Sequence, residues 1–76
     1  MKRMDYKKVN SSNVDSVAHD AENNVLGVRY KQKDGGVAEY HYPGVGAAKH
    51  AELMRAESIG SHLSKHIKPN FKANKV

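Results

Sequence analysis

Residues 25–42 read VLGVRYKQKDGGVAEYHY, and this stretch carries the strongest structural signal in the chain. In its first seven residues apolar and polar side chains alternate, with Leu26, Val28 and Tyr30 on one side, which is the period of a half-buried strand. The Asp34-Gly35 pair predicts a tight hairpin, because Gly tolerates a positive φ. The last six residues alternate again and predict the returning strand.

The sequence on either side of this hairpin completes the predicted fold. Residues 14–20 form a weaker strand before it, and Pro43 ends the last strand because Pro has no N–H to donate. Residues 47–56 then predict a helix, and Ser58 is placed to cap a second helix that ends before Pro69. We therefore predict an α+β fold, with a three-stranded antiparallel β-meander followed by two short α-helices packed on one sheet face.

Length and composition limit what the protein can be. Its 76 residues, 38% of them hydrophobic, allow one small domain with a thin core. We divide the chain into a flexible basic N-terminal arm over residues 1–12, a single domain over residues 13–71 and a flexible basic C-terminal tail over residues 72–76. Because substrate pockets usually need roughly several hundred Å³, we expect no enzyme, no cofactor and no small-molecule substrate.

Cysteine content and hydropathy bear on the compartment. The chain has no Cys, which excludes disulfides and thiolate metal sites and, in so small a domain, favours a reducing interior. No apolar run approaches the roughly 20 residues of a membrane span. The charged start, residues 1–6, is not followed by the apolar stretch of a signal peptide. We therefore expect a cytoplasmic protein without membrane association.

Positive charge is concentrated at the two ends of the chain. The formal net charge is +5, yet residues 9–64 hold five basic and seven acidic side chains. Residues 1–8 hold four basic side chains and one acidic one, and residues 65–76 hold four lysines and no acid. Lysines at chain ends attract phosphates without reading sequence, and they also keep small proteins in solution, so both interpretations stay open.

Three tyrosines on neighbouring strands allow two interpretations. Tyr40 and Tyr42, with Tyr30 on the adjacent strand, would suit an aromatic surface on which bases stack. Alternatively, the same face is the side of the sheet that the helices cover. We favour burial, because Leu26 and Val28 share the face of Tyr30.

The other face of the hairpin and the C-terminal region hold the candidate contacts to nucleic acid. The predicted nucleic-acid-binding residues are Arg29, Lys31, Lys33, His41, Lys65, Lys68 and Lys72. Each cation that neutralises a phosphate would add affinity through counterion release. The competing interpretation of the strand residues is an ordinary solvated face, which we favour there because Glu39 interrupts the positive charge.

Metal and catalytic chemistry find little support in the pattern. His62 and His66 have the spacing of two metal ligands on a helix, but no third ligand is evident and no Glu follows His62. Ser58 lacks the surroundings of a nucleophile, and helix capping explains it. We therefore expect no metal site and no catalytic residue.

Several short motifs resemble one known family, the KTSC domain. They are the run Leu26–Tyr30, the pair Tyr40 and Tyr42, Val45, the turn Ala56–Gly60, Leu63 and Ile67. The resemblance spans roughly residues 12–71, although His19, Gly46 and Leu63 stand where the family often has Tyr, Pro and Phe. The family is named for a C-terminal extension of some lysyl-tRNA synthetases, and small stand-alone bacterial and phage members occur.

The resemblance implies a binding domain, with RNA as an expected ligand through the association with the synthetase, and it implies no catalytic residue. Our leading hypothesis is a small non-catalytic module that binds RNA or another nucleic acid through its basic ends and the Arg29–Lys31 stripe. The alternative is a protein-interaction adaptor, a phage or bacterial factor that docks on a larger complex through an open sheet edge.

Overall fold

The computed structural model describes residues 4–76 and shows one antiparallel sheet with helices after its fourth strand. The elements in chain order are β1 Lys7–Lys8, β2 Val14–Asp20, β3 Val25–Lys31, β4 Val37–Pro43, α1 Ala47–Arg55, α2 Ile59–His62, a π-helical segment Leu63–Ile67, and β5 Asn74–Lys75. The strands are ordered β1-β2-β3-β4-β5, each antiparallel to its neighbours. The α+β class and the three long strands of the meander are confirmed.

The predicted number of strands was wrong, because the sheet has five strands and not three. β1 pairs with Ser16 and Val17 of β2, and β5 pairs with Tyr40 and His41 of β4. Both added strands are two residues long and polar, so they have none of the alternation that marks a half-buried strand. They form because the two ends of the domain run back along its edges.

The two added strands lie in segments that we assigned to the basic arm and tail. Residues 1–3 of the predicted arm lie outside the described residues. The predicted flexibility of both ends stays a prediction.

The hairpin between β3 and β4 has the predicted turn chemistry. Gly35 has a φ of +89°, and the Gln32 N–H donates to the Gly36 carbonyl oxygen at 2.9 Å. The Asp34 carboxylate accepts from the Gly36 N–H at 2.9 Å, which closes the turn. The turn therefore sets the register that places Val28 opposite Tyr40.

The helical region begins and ends where the sequence predicts, but its second half differs in type. The Ser58 side chain accepts from the Ser61 N–H at 3.3 Å, which confirms the predicted N-cap. From Leu63 onward the backbone is π-helical, and the Lys68 N–H donates to the Leu63 carbonyl oxygen at 2.8 Å. We predicted an α-helix throughout, since a single inserted turn of this kind has no distinct periodicity.

The hydrophobic core lies between the helical region and one face of the sheet. Its buried members are Val14, Val17, Leu26, Val28, Tyr42, Val45, Leu53, Leu63 and Ile67. Leu53 is the buried residue of α1, so that helix is attached to the sheet through a single fully enclosed side chain. Ile59, Tyr30, Tyr40 and Phe71 pack against the margin of this cluster and are partly buried.

Candidate functional site

A cleft opens at the margin of the core, beside the strands that carry the tyrosines. We call it the tyrosine cleft; it has a volume of about 410 Å³, and its walls include Tyr30, Tyr40, Tyr42, Phe71, Gln32 and Lys68. β3 and β4 supply the tyrosines, because Tyr30, Tyr40 and Tyr42 project from the same face of the sheet. The segment after the π-helical turn supplies Lys68 and Phe71 and closes the opposite side.

The three tyrosines divide between the two roles considered from the sequence. Tyr42 is only 2% exposed and belongs to the core, as the burial interpretation predicts. Tyr30 and Tyr40 are half-buried, and their rings meet edge to face with centroids 5.7 Å apart. Both rings therefore contribute to packing and also form part of the wall of an open cleft.

The floor of the cleft carries a pair of hydroxyl groups. The Tyr30 and Tyr42 hydroxyl oxygens are 2.7 Å apart, so one of them donates to the other. Burial raises the pKa of both tyrosines, and for Tyr30 the hydrogen bond to Tyr42 raises it further. Both hydroxyls are consequently protonated at neutral pH, and one O–H remains able to donate to a bound group.

One lysine lines the tyrosine cleft, and two more are next to residues that line it. Lys68 Nζ lies 4.9 Å from the centroid of the Tyr30 ring, within the range of a cation–π contact. Lys75 is paired with Tyr40 across the β4–β5 ladder, and directly opposed residues project from the same face of a sheet. Lys72 is exposed next to Phe71. Of the predicted binding residues, Lys68 therefore lines the cleft and Lys72 adjoins a lining residue in sequence, while Lys75, which was not among them, lies opposite Tyr40.

The opposite face of the sheet holds a separate cluster around Glu39. The Arg29 Nε donates to Glu39 Oε1 at 3.1 Å, and His41 Nε2 lies 2.9 Å from Oε2 of the same carboxylate. Burial acts to raise the pKa of the Glu39 carboxyl, but hydrogen bonds from His41, Arg29 and Tyr6 outweigh it and lower that pKa. Glu39 is therefore charged near neutral pH and offsets the positive charge of Arg29.

The predicted nucleic-acid-binding residues consequently do not form one continuous surface. Arg29 and His41 meet at Glu39 on one face, while Lys68 borders the cleft on the other face. Lys31 donates to the Ser11 carbonyl oxygen at 2.8 Å, and Lys33 is exposed in the hairpin turn. Lys65 is exposed on the π-helical segment, close in sequence to Lys68.

One contributor to the Glu39 face was missed from the sequence. The guanidinium carbon of Arg29 lies 3.9 Å from the centroid of the Tyr6 ring, and the Tyr6 hydroxyl lies 3.3 Å from His41 Nε2. Burial, followed by a hydrogen bond to Glu39, raises the pKa of Tyr6. The sequence contained one indication of this contact, which is Gly27. A glycine in the middle of a strand often marks a close approach by another group.

His19 and His50 form a stacked pair on the helix side of β2. Their rings are nearly parallel, with an interplanar angle of 6° and centroids 4.6 Å apart. His19 Nε2 lies 2.8 Å from the Val45 carbonyl oxygen; since a carbonyl can only accept, this nitrogen carries the proton. A hydrogen bond and a ring partner therefore hold the His19 side chain in place.

This pair predicts a specific pH dependence of stability. Burial, the neighbouring His19 and Lys7 together lower the pKa of His50 below its ordinary value of 6.5. Below pH 6.5 the unfolded chain therefore binds more protons at His50 than the folded chain does. The free energy of unfolding consequently falls as the pH decreases. In urea titrations between pH 7.5 and pH 5, we expect His50→Gln to lose less stability than the parent chain.

The matched control for this experiment is His66→Gln, which removes an exposed imidazole from the π-helical segment. We expect its stability to follow the parent curve more closely than that of His50→Gln does. Equal slopes for the parent chain and His50→Gln would show that folding does not lower the pKa of His50.

His62 and His66 lie close together, with ring centroids 4.6 Å apart and planes tilted by 40°. Within residues 4–76 no group of three or more His, Asp or Glu side chains is arranged to hold a metal ion. Over the same residues, no helix is both long enough and apolar enough to cross a bilayer.

Comparison with known proteins gives the relationship of the chain. A family model described as the KTSC domain matches residues 10–71. The chain is also similar to the crystal structure of a KTSC domain protein from Yersinia pestis, with a TM-score of 0.85 and 30% sequence identity. That alignment covers 97% of this chain and 99% of the Yersinia protein. A comparison with curated proteins gave no significant match.

Proposed function

The chain belongs to the KTSC domain family, and from that premise we propose that it is a small non-catalytic module that binds nucleic acid, preferably RNA. The observation that carries the proposal is the position of Lys68 in the wall of the tyrosine cleft, with Lys75 opposite Tyr40 on the same sheet face and Lys72 next to Phe71 in the chain. Proteins that bind single strands without reading sequence combine such cations with aromatic rings.

The charge of this surface supports the proposal. Residues 65–76 contain four lysines and no acidic residue. The ion pairs among the described residues are Lys8 with Asp15, Arg29 with Glu39 and His41 with Glu39, and none includes a lysine of this segment. Cations without an acidic neighbour are those from which a phosphate gains the most, because no carboxylate must be displaced.

For the same reason, we expect the strand segment Arg29–Lys31 to contribute less to binding than the C-terminal lysines. The Arg29 guanidinium is held by Glu39 and by the Tyr6 ring, so a phosphate there would meet a carboxylate. We therefore assign the main contacts to Lys68, Lys72 and Lys75, with Lys65 beside them, and give Lys33 and Lys31 a secondary role.

The proposal predicts a salt-dependent affinity that depends on the position of the charge. Each phosphate contact on a single strand contributes roughly 0.7 to the magnitude of the slope of log affinity against log salt concentration. In the triple variant Lys68→Gln, Lys72→Gln and Lys75→Gln, we therefore expect this slope to decrease in magnitude by about 2. Binding of short labelled RNA and DNA is measured by fluorescence anisotropy over a range of salt concentrations.

The control carries the same change in net charge at a different place. The triple variant Lys8→Gln, Lys49→Gln and Arg55→Gln also removes three exposed cations, none of which belongs to the proposed surface, and we expect it to keep most of the parent slope. If the slope decreased equally in both variants, binding would depend only on the net charge and not on the position of the lysines. Absence of any binding by the parent chain at low salt would end the proposal.

A protein-interaction adaptor is the second candidate, and one observation favours it. β1 pairs with Ser16 and Val17, whereas β2 continues to Asp20, so within residues 4–76 part of this sheet edge lies outside the β1–β2 ladder. An added strand from a partner could pair along such an edge. Protein partners that are captured from lysate and retained after nuclease digestion would favour the adaptor over the nucleic-acid module.

A further inference from the structure

We infer that the tyrosine cleft is a subsite for one unstacked base of a single-stranded nucleic acid. The inference rests on the proposed function and deepens it, since it states which part of the ligand enters the protein. It follows from the size of the cleft, the disposition of its rings and the position of its cations.

The size and the walls suit a flat aromatic group. At about 410 Å³ the cleft falls within the range of about 300–1,000 Å³ typical of small-ligand sites. Tyr30 and Tyr40 meet edge to face at 72°, so they do not cover each other as stacked rings would. Lys68 already lies over Tyr30, which leaves Tyr40 and Phe71 as the rings available for stacking.

The polar groups of the cleft match the edge of a base. The Gln32 side chain offers both a donor and an acceptor, and one hydroxyl of the Tyr30–Tyr42 pair can donate. These groups lie within one aromatic-walled space, as expected where a base is held by stacking and by hydrogen bonds to its edge.

The cations are placed for the phosphates on either side of that base. Lys68 lines the cleft, and Lys75 projects from the same face as Tyr40 on the neighbouring strand. A base that enters between them brings its flanking phosphates toward two ammonium groups. A base stacked within a duplex cannot enter without leaving its neighbours, so the subsite favours single strands.

The test compares two ligands of equal charge. A short oligouridine and a blunt-ended RNA duplex with the same total number of phosphates are titrated into the full chain at low salt. We expect tighter binding of the single strand, and we expect Tyr40→Leu to weaken it by about 5- to 150-fold, which corresponds to the contribution of one stacked base. Binding of the duplex should be unchanged by this substitution.

The conservative variant and a direct measurement keep the test decisive. Tyr40→Phe retains the ring and is expected to keep the affinity of the parent chain for oligouridine. In parallel, uridine monophosphate is added to the labelled parent chain, and we expect its NMR shifts to change at Tyr40, Phe71 and Gln32. This measurement needs no variant and therefore stands even if Tyr40→Leu fails to fold.

The possible failures can be distinguished. Equal binding of the oligouridine and the duplex, with no effect of Tyr40→Leu, would overturn the base subsite and leave the nucleic-acid module standing. Binding of neither ligand would end the proposed function, and the uridine monophosphate shifts would then decide the subsite alone. Shift changes confined to residues outside the cleft would overturn it.

Discussion

Leu53→Ala is expected to lower the free energy of unfolding by about 2–5 kcal/mol, the range for removing a large aliphatic side chain from a core. Leu53 is fully buried and attaches α1 to the sheet. A domain of this length is stable by only about 4–11 kcal/mol, at roughly 0.05–0.15 kcal/mol per residue. The substitution therefore removes a large fraction of the total stability, and urea denaturation followed by circular dichroism would measure it.

The neighbouring residue on the same helix provides the control. Met54 is 38% exposed, and Met54→Ala is expected to cost less than about 1 kcal/mol because it leaves no enclosed cavity. Similar losses for Leu53→Ala and Met54→Ala would mean that helix propensity or a general effect on α1, rather than core packing, holds the helix in place.

Gly27→Ala is expected to destabilise the protein by about 1–3 kcal/mol, the usual cost of forcing extra volume into a packed site. A Cβ atom at Gly27 would lie 2.9 Å from Tyr6 Cζ and 3.0 Å from Met4 Sδ. The ring must then move away from the sheet, and it loses its contact with the Arg29 guanidinium. Chemical denaturation of the variant measures the loss.

A double-mutant cycle isolates the contact with Tyr6. In a Tyr6→Ala background the Tyr6 ring no longer occupies the space above Gly27 and only the flexible Met4 side chain remains close, so Gly27→Ala should cost clearly less than in the parent chain. If Gly27→Ala costs the same in both backgrounds, the Tyr6 ring does not lie over Gly27 in solution.

The tyrosines show how far the sequence alone can define the candidate site. Alternation in residues 25–31 and 37–42 correctly places Tyr30, Tyr40 and Tyr42 on the helix side of the sheet. It does not distinguish Tyr42, which is enclosed, from Tyr40, which borders a cleft. That difference depends on where the segment around Lys68 and Phe71 crosses the sheet, and no local pattern encodes the crossing.

The cations of the candidate site could also be predicted only in part from the sequence. The absence of acidic residues in residues 65–76 was evident from the sequence. The place of Lys75 beside Tyr40 was not, because it comes from a pairing between positions 35 residues apart. The sequence also predicted that Glu39 interrupts the positive charge beside Arg29, but the contact of the Tyr6 ring with the Arg29 guanidinium was evident only from the tertiary structure.

By itself, the sequence determined the three long strands, the hairpin turn, the Ser58 cap and the side of the sheet that faces the helices. Each of these follows from side-chain periodicity or from backbone preferences within a few residues. Only the tertiary structure decided the two edge strands, the contact of Tyr6 with Gly27, the stacking of His19 on His50 and the lysine-bordered cleft. The edge strands are held by backbone hydrogen bonds, which almost any residue can form. Packing between distant segments depends on their shapes in three dimensions. Neither produces a periodic pattern in the sequence.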